Sequence, residues 1–150
     1  MEGVRYLAGL VLLLILAGCG GETDPAATPA GRAQARFLED VYTGKFDRAY
    51  EALYPAHKRI VSRARFVQCG KATPLGELQS IEVLEVYDKA IRIPLVRERE
   101  AKIVRVRLTS TDGEVLNFEN PEVKVGGRWR WVLNEKSIRA YQAGRCPRAS

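Results

Sequence analysis

One histidine, one methionine and three cysteines stand among 150 residues, and only 8% of the chain is aromatic. With His57 alone, sites that need several imidazoles are excluded. There is no C-x-x-C pair, no phosphate-cradling glycine pattern, no Gly-x-Ser-x-Gly elbow and no calcium-loop spacing of carboxylates. Redox, nucleotide-dependent, serine-hydrolase and metal-dependent signatures are therefore missing, and neither a metal nor a cofactor is expected. Long apolar runs are missing too. The best one, residues 6–17, is too short for a comfortable membrane-spanning helix. What is present is a chain of one-domain length, 46% hydrophobic and 28% charged, with a net charge of +6. That balance excludes both a multispanning membrane protein and wholesale disorder. Three thiols cannot all pair within one chain, so one of them needs a separate role.

The amino terminus supplies that role. Arg5 precedes the apolar run, which closes in Leu16-Ala17-Gly18-Cys19 before Gly20, Gly21, Glu22, Thr23 and Asp24 halt it. This resembles the bacterial lipoprotein signal, an aliphatic residue and two small residues ahead of a cysteine. The resemblance implies that residues 1–18 form a cleaved signal peptide and that the Cys19 thiol receives a diacylglyceryl group. Two or three acyl chains then hold the protein stably on the extracytoplasmic face of the membrane. Residues 19–30, with Gly20, Gly21, Pro25 and Pro29, read as a flexible lipid-anchored linker, and residues 31–150 as the folded domain. Cleavage removes Glu2 and Arg5 together, so the positive charge belongs to the exported part. Cys69 and Cys146 remain, an even pair in an oxidising compartment, and are expected to form a disulfide. Export also argues against nucleic acid as a partner.

Helical spacing dominates the first part of the domain. Ala33, Phe37 and Val41 are four apart, with Gly44 as a terminal cap. Phe46, Ala49, Tyr50 and Leu53 form the stripe of a second helix that Pro55 ends. A third helical segment passes through Ile60, with Ser62 capping the turn that carries Phe66 and Cys69. Beyond Gly76 the period becomes two. Strands are expected over residues 78–93, 101–109, 115–118, a segment with Val123 and Val125, and 128–133. Asp112-Gly113 and Gly126-Gly127 mark hairpin turns, Pro94 an edge or loop, and residues 137–142 a last helical turn. Helices followed by an antiparallel meander of about four strands define an α+β class, with the helices packed on one face of a curved sheet.

The helix Phe46-Asp47-Arg48-Ala49-Tyr50-Glu51-Ala52-Leu53 and the strand Gly127-Arg128-Trp129-Arg130-Trp131-Val132-Leu133 are similar to small exported lipoproteins of the nuclear-transport-factor-2-like, or cystatin-like, superfamily. That resemblance implies a cone-shaped sheet around helices with an internal pocket. It admits isomerases, cyclases and dehydratases as well as non-catalytic binding modules.

Candidate chemistry is sparse. Asp88, on the alternation face of Leu84 and Val86, is the one carboxylate to test as an acid or base, although an exposed ion pair near Lys89 explains it as well. His57 lies in a junction with Pro55, Lys58 and Arg59 and reads as an exposed residue at a helix start. Tyr50, Tyr54, Phe66, Trp129 and Trp131 are candidates for an apolar pocket wall, or else for core packing. Arg105, Arg107, Arg128 and Arg130 alternate opposite the apolar face. They make either a contact surface for anionic headgroups, wall polymer or an envelope protein, or a solvated face balanced by Glu98, Glu100 and Glu114. A binding or scaffolding module of the cell envelope is the expected function, with a small-molecule acid/base enzyme as the alternative.

Overall fold

The computed structural model describes residues 23–148. The expected signal peptide and the Cys19 proposed as its lipidation site lie outside the described residues. The chain runs helix first and sheet second, in the order α1 (Pro29–Tyr42), α2 (Phe46–Glu51), α3 (Arg63–Ala72), β1 (Leu78–Arg92), β2 (Glu98–Ser110), β3 (Val115–Val125), β4 (Arg128–Trp131) and α4 (Glu135–Gln142). The four strands form one antiparallel sheet in sequence order, an α+β meander as the periodicity predicts.

Local signals explain most boundaries. Thr28 Oγ1 accepts the Gly31 N–H at 3.0 Å, Ser62 Oγ that of Arg65 at 3.2 Å, and Asn134 Oδ1 that of Ser137 at 2.8 Å. Each satisfies one of the donors that a helix start leaves open. Folded structure begins earlier than the expected linker boundary at residue 30: Pro25–Ala27 form a 3-10 turn, α1 starts at Pro29 and Ala30 is already buried. The correction follows from Thr28 and Pro29, a capping residue followed by the residue best suited to a first helical turn.

Three further boundaries differ from the sequence reading. α2 stops at Glu51, ahead of Pro55, because the chain turns out to pair with the sheet edge: Leu53 bridges Trp131, and the Tyr54 N–H donates to the Trp131 carbonyl at 2.9 Å. β4 ends at Trp131, short of Leu133. The segments expected at residues 115–118 and around Val123 are one strand, β3, continuing through Pro121. Pairing with β4 begins at Glu122, so Pro121 has a strand partner on only one side, where a missing N–H is tolerated.

Packing follows strand parity. Val104, Val106 and Leu108 of β2 turn to α1 and meet Ala30 and Leu38. A second cluster joins α2, α3, β4 and α4 through Tyr50, Leu53, Phe66, Trp131, Leu133 and Ile138. On the opposite sheet face, Ile93, Ala101 and Val123 are covered by Tyr54. Trp131 stands at the centre of the helix side. Its ring stacks on Phe37 with centroids 4.4 Å apart and tilts against Phe66 at 5.7 Å, and its indole N–H donates to the Ala49 carbonyl at 2.8 Å. These aromatics pack between helices and sheet and also wall a second cavity of about 360 Å³, which reaches from Phe37 and Trp131 to Phe66, Leu133 and Tyr141. α3 approaches α2 closely: a Cβ on Gly70 would meet the Phe46 ring at 2.5 Å.

Cys69, near the end of α3, is disulfide-bonded to Cys146, with Cα atoms 5.3 Å apart. The bond ties the tail after α4 to the helical layer across 77 residues. Arg65 reinforces it by donating to the Gly144 carbonyl.

Candidate binding groove

An open groove of about 550 Å³ lies between α1, α2 and β4. Ala33 and Phe37 of α1, Ala52 after α2, and Trp129 and Trp131 of β4 supply apolar wall, while Arg36, Arg48, Arg128 and Arg130 bring guanidinium groups. Strand geometry explains the mixture: β4 is short, lies at the sheet edge and alternates Arg with Trp, so both faces reach the groove rim.

Glu122 of β3 is the least exposed residue of the lining, at 1%. Neither carboxyl oxygen has a hydrogen-bond partner. Burial pushes its pKa up from 4.5 to about 8, with the Arg130 charge pulling the other way. While protonated it is able to donate an O–H. Arg130 donates from Nη1 to the Glu51 carbonyl at 2.6 Å, and its buried Nε has no partner. Arg48 pairs with Asp40 at 3.3 Å. The groove can therefore hold an acceptor-rich group against an aromatic wall.

Of the sequence-predicted residues, Trp129, Trp131, Arg128 and Arg130 come together here. Tyr50 and Tyr54 do not. Tyr50 donates its hydroxyl to the Val61 carbonyl at 3.0 Å inside the core, and Tyr54 packs on the far sheet face. Arg105 and Arg107 belong to another environment. Arg105 bridges Glu85 at 2.7 Å and Glu119 at 2.8 Å, and Arg107 reaches Glu82 at 3.1 Å. The register keeps all four arginines on one sheet face, as the alternation predicts, but in two settings, and the balancing acids are Glu82, Glu85 and Glu119 rather than Glu98, Glu100 and Glu114. Antiparallel register places Glu85 and Glu119 directly opposite Arg105, and Glu82 opposite Arg107.

The two acid–base candidates are also relocated. Asp88 is exposed, lies outside the groove, and pairs with Lys102, its cross-strand neighbour, at 2.7 Å. His57 is fully buried, contrary to its reading as an exposed residue. Its Nδ1 accepts the Leu133 N–H at 3.0 Å and its Nε2 lies 3.0 Å from the Pro94 carbonyl, to which it donates as the neutral tautomer. A 3-10 turn over His57–Arg59 carries the ring inward while Lys58 and Arg59 stay near the surface.

Glu122 was missed because the expected strands leave residues 119–122 between Phe118 and Val123 unassigned. Continuing the alternation from Phe118 through Asn120 would have set Glu122 on the helix-facing side. Among the described residues, no group of three or more His, Cys, Asp or Glu side chains could hold a metal ion.

No protein-family model matches the chain, and no curated protein matches it. Among solved structures it is similar to a Campylobacter jejuni protein described as an NTF2-like transpeptidase, with a TM-score of 0.51 and 16% identity over 71% of this chain and the whole of that one. At that identity the likeness concerns architecture alone. The chain has an NTF2-like α+β fold.

Proposed function

We propose that the protein is an exported, lipid-anchored binding module of the cell envelope, which takes its ligand in the groove between α1, α2 and β4 and performs no reaction of its own. The observation that carries this reading is the groove itself, an open cleft with an aromatic wall and four guanidinium groups. Its chemistry suits anionic headgroups, wall polymer or an acidic envelope protein. The Leu16-Ala17-Gly18-Cys19 pattern supports the anchor, and the Cys69–Cys146 disulfide suits an oxidising compartment. The solved relative is named a transpeptidase. Acyl exchange of that kind commonly runs through a nucleophilic side chain, whereas this groove is lined by no serine, threonine, cysteine or lysine.

A second reading, an acid/base enzyme in the same groove, is favoured by one observation, the buried carboxyl of Glu122. Isolated envelopes incubated with wild-type or Glu122→Gln protein separate the two. The binding module sediments with the envelopes and leaves their composition unchanged by mass spectrometry. A product formed by wild type and not by the variant establishes the enzyme instead. For the anchor, Cys19→Ser is expected to abolish labelling by radioactive palmitate, and persistent labelling would refute it.

A further inference from the structure

Two buried polar groups in the groove lack partners. Both oxygens of Glu122 and the Nε of Arg130 are sequestered from solvent without a hydrogen bond, while Nη1 of Arg130 is anchored on the Glu51 carbonyl. Buried polar groups in folded proteins are nearly always satisfied, so an unmatched donor and carboxyl in one cleft mark a place where something else binds. Arg130 Nε is donor-only, and a protonated Glu122 offers one O–H. The surroundings set the sign of the ligand. From α1, Arg36 stands without an ion pair among the described residues, and Asp40 is taken by Arg48 of α2. Glu51 of α2 is engaged by Lys58 and Arg63. Arg128 of β4 is likewise unpaired among the described residues. Lys102, opposite Glu122 in the strand register, is committed to Asp88. Donors and positive charge therefore exceed acceptors, and the half-buried Trp129 beside Phe37 adds a flat apolar wall.

We propose that the groove is a binding site for an oxyanion carried on a flat apolar body, a carboxylate or phosphate that draws on Arg130 and on the carboxyl of Glu122, both of which line it. This deepens the binding-module reading and rests on it. Glu122 acts as a donor while protonated. Once ionised it repels the ligand, so affinity holds below the pH at which Glu122 titrates and falls above it.

Benzoate and phenyl phosphate are the probes, titrated calorimetrically into the full chain in detergent at about pH 6.5 and about pH 9.5, on either side of the Glu122 titration. Saturable one-to-one binding is expected for at least one probe at the lower pH, and the tighter of the two identifies the oxyanion. The charge of benzoate is constant over this range, so its loss of affinity at the higher pH, about tenfold, reports the protein. Arg130→Gln weakens binding by about tenfold or more at the lower pH. Glu122→Gln keeps the shape and a donor, retains binding and removes the pH dependence. That variant keeps the site testable if Arg130 is needed for folding. Absence of saturable binding by both probes, or an unchanged pH dependence in Glu122→Gln, overturns the proposal. Retention on envelopes without oxyanion binding would overturn it while leaving the module reading intact, whereas loss of both would remove the two together.

Discussion

Leu133 donates its backbone N–H to Nδ1 of His57 at 3.0 Å, joining the segment after β4 to a 3-10 turn 76 residues earlier in the chain. The contact requires an unprotonated Nδ1, because a protonated ring has donors on both nitrogens. The same imidazole holds the Pro94 carbonyl through Nε2, so one side chain ties the β1–β2 connection to both partners. Burial lowers its pKa from 6.5, with the Pro94 hydrogen bond opposing.

Replacing His57 with Ala is expected to leave the Leu133 N–H and the Pro94 carbonyl without their side-chain partner, at a cost of about 2–4 kcal/mol in urea unfolding. The pH dependence has a definite sign. With the folded pKa below the unfolded value, the unfolded state binds the proton first, so the contribution of His57 is complete above pH 6.5 and is lost as pH falls through the folded pKa. His57→Gln should flatten that acid limb, and an unchanged limb would show that other groups govern it.

Glu122 gives the opposite slope. Its folded pKa of about 8 lies above the ordinary 4.5, so the folded state holds the proton longer and stability declines as pH rises between those values. Glu122→Gln is expected to remove this decline and to stabilise the protein above pH 8 by up to a few kcal/mol. Thermal melts of both proteins across the range provide the measurement.

Trp131 combines a stack on Phe37, a tilted contact with Phe66 and a buried hydrogen bond to Ala49. Trp131→Ala is expected to cost roughly 3–5 kcal/mol, and Trp131→Phe less, chiefly the indole hydrogen bond. By contrast Arg105→Ala and Arg107→Ala, whose ion pairs are exposed, should each change stability by under about 1 kcal/mol. Chemical denaturation of the four variants ranks them, and a larger loss at Arg105 than at Trp131 would invert this account.

The Cys69–Cys146 bond predicts that a thiol-alkylating reagent modifies neither cysteine in the native, unreduced protein. Reduction is expected to destabilise the fold by up to about 4–5 kcal/mol on the chain-entropy account of a loop this long. Mass spectrometry with and without reductant tests the first statement, and melting temperature the second.

Sequence patterning carried the fold well where one residue type decides one local outcome. Ser62 caps α3, Gly44 follows α1 at a φ of 73°, and the alternation of Val104, Val106 and Leu108 with Arg105 and Arg107 sets the two faces of β2. Reading failed where distant segments decide. Leu53 fits a helical stripe but pairs with Trp131, and His57 has basic neighbours yet sits in the core. The third strand was expected in two pieces, and Glu122, in the gap between them, went unread.

The sequence by itself determined the helices-then-sheet order, the hairpin turns and the pairing of strands in chain order, because periodicity, capping and turn residues act over a few neighbours. Which charges meet was settled by the packed fold. Cross-strand register matched Arg105 and Arg107 with Glu82, Glu85 and Glu119, and the meeting of α1, α2 and β4 buried Glu122 in the wall of the groove that Arg130 also lines. Charge and burial of a side chain depend on groups far away in the chain, and no local pattern encodes them.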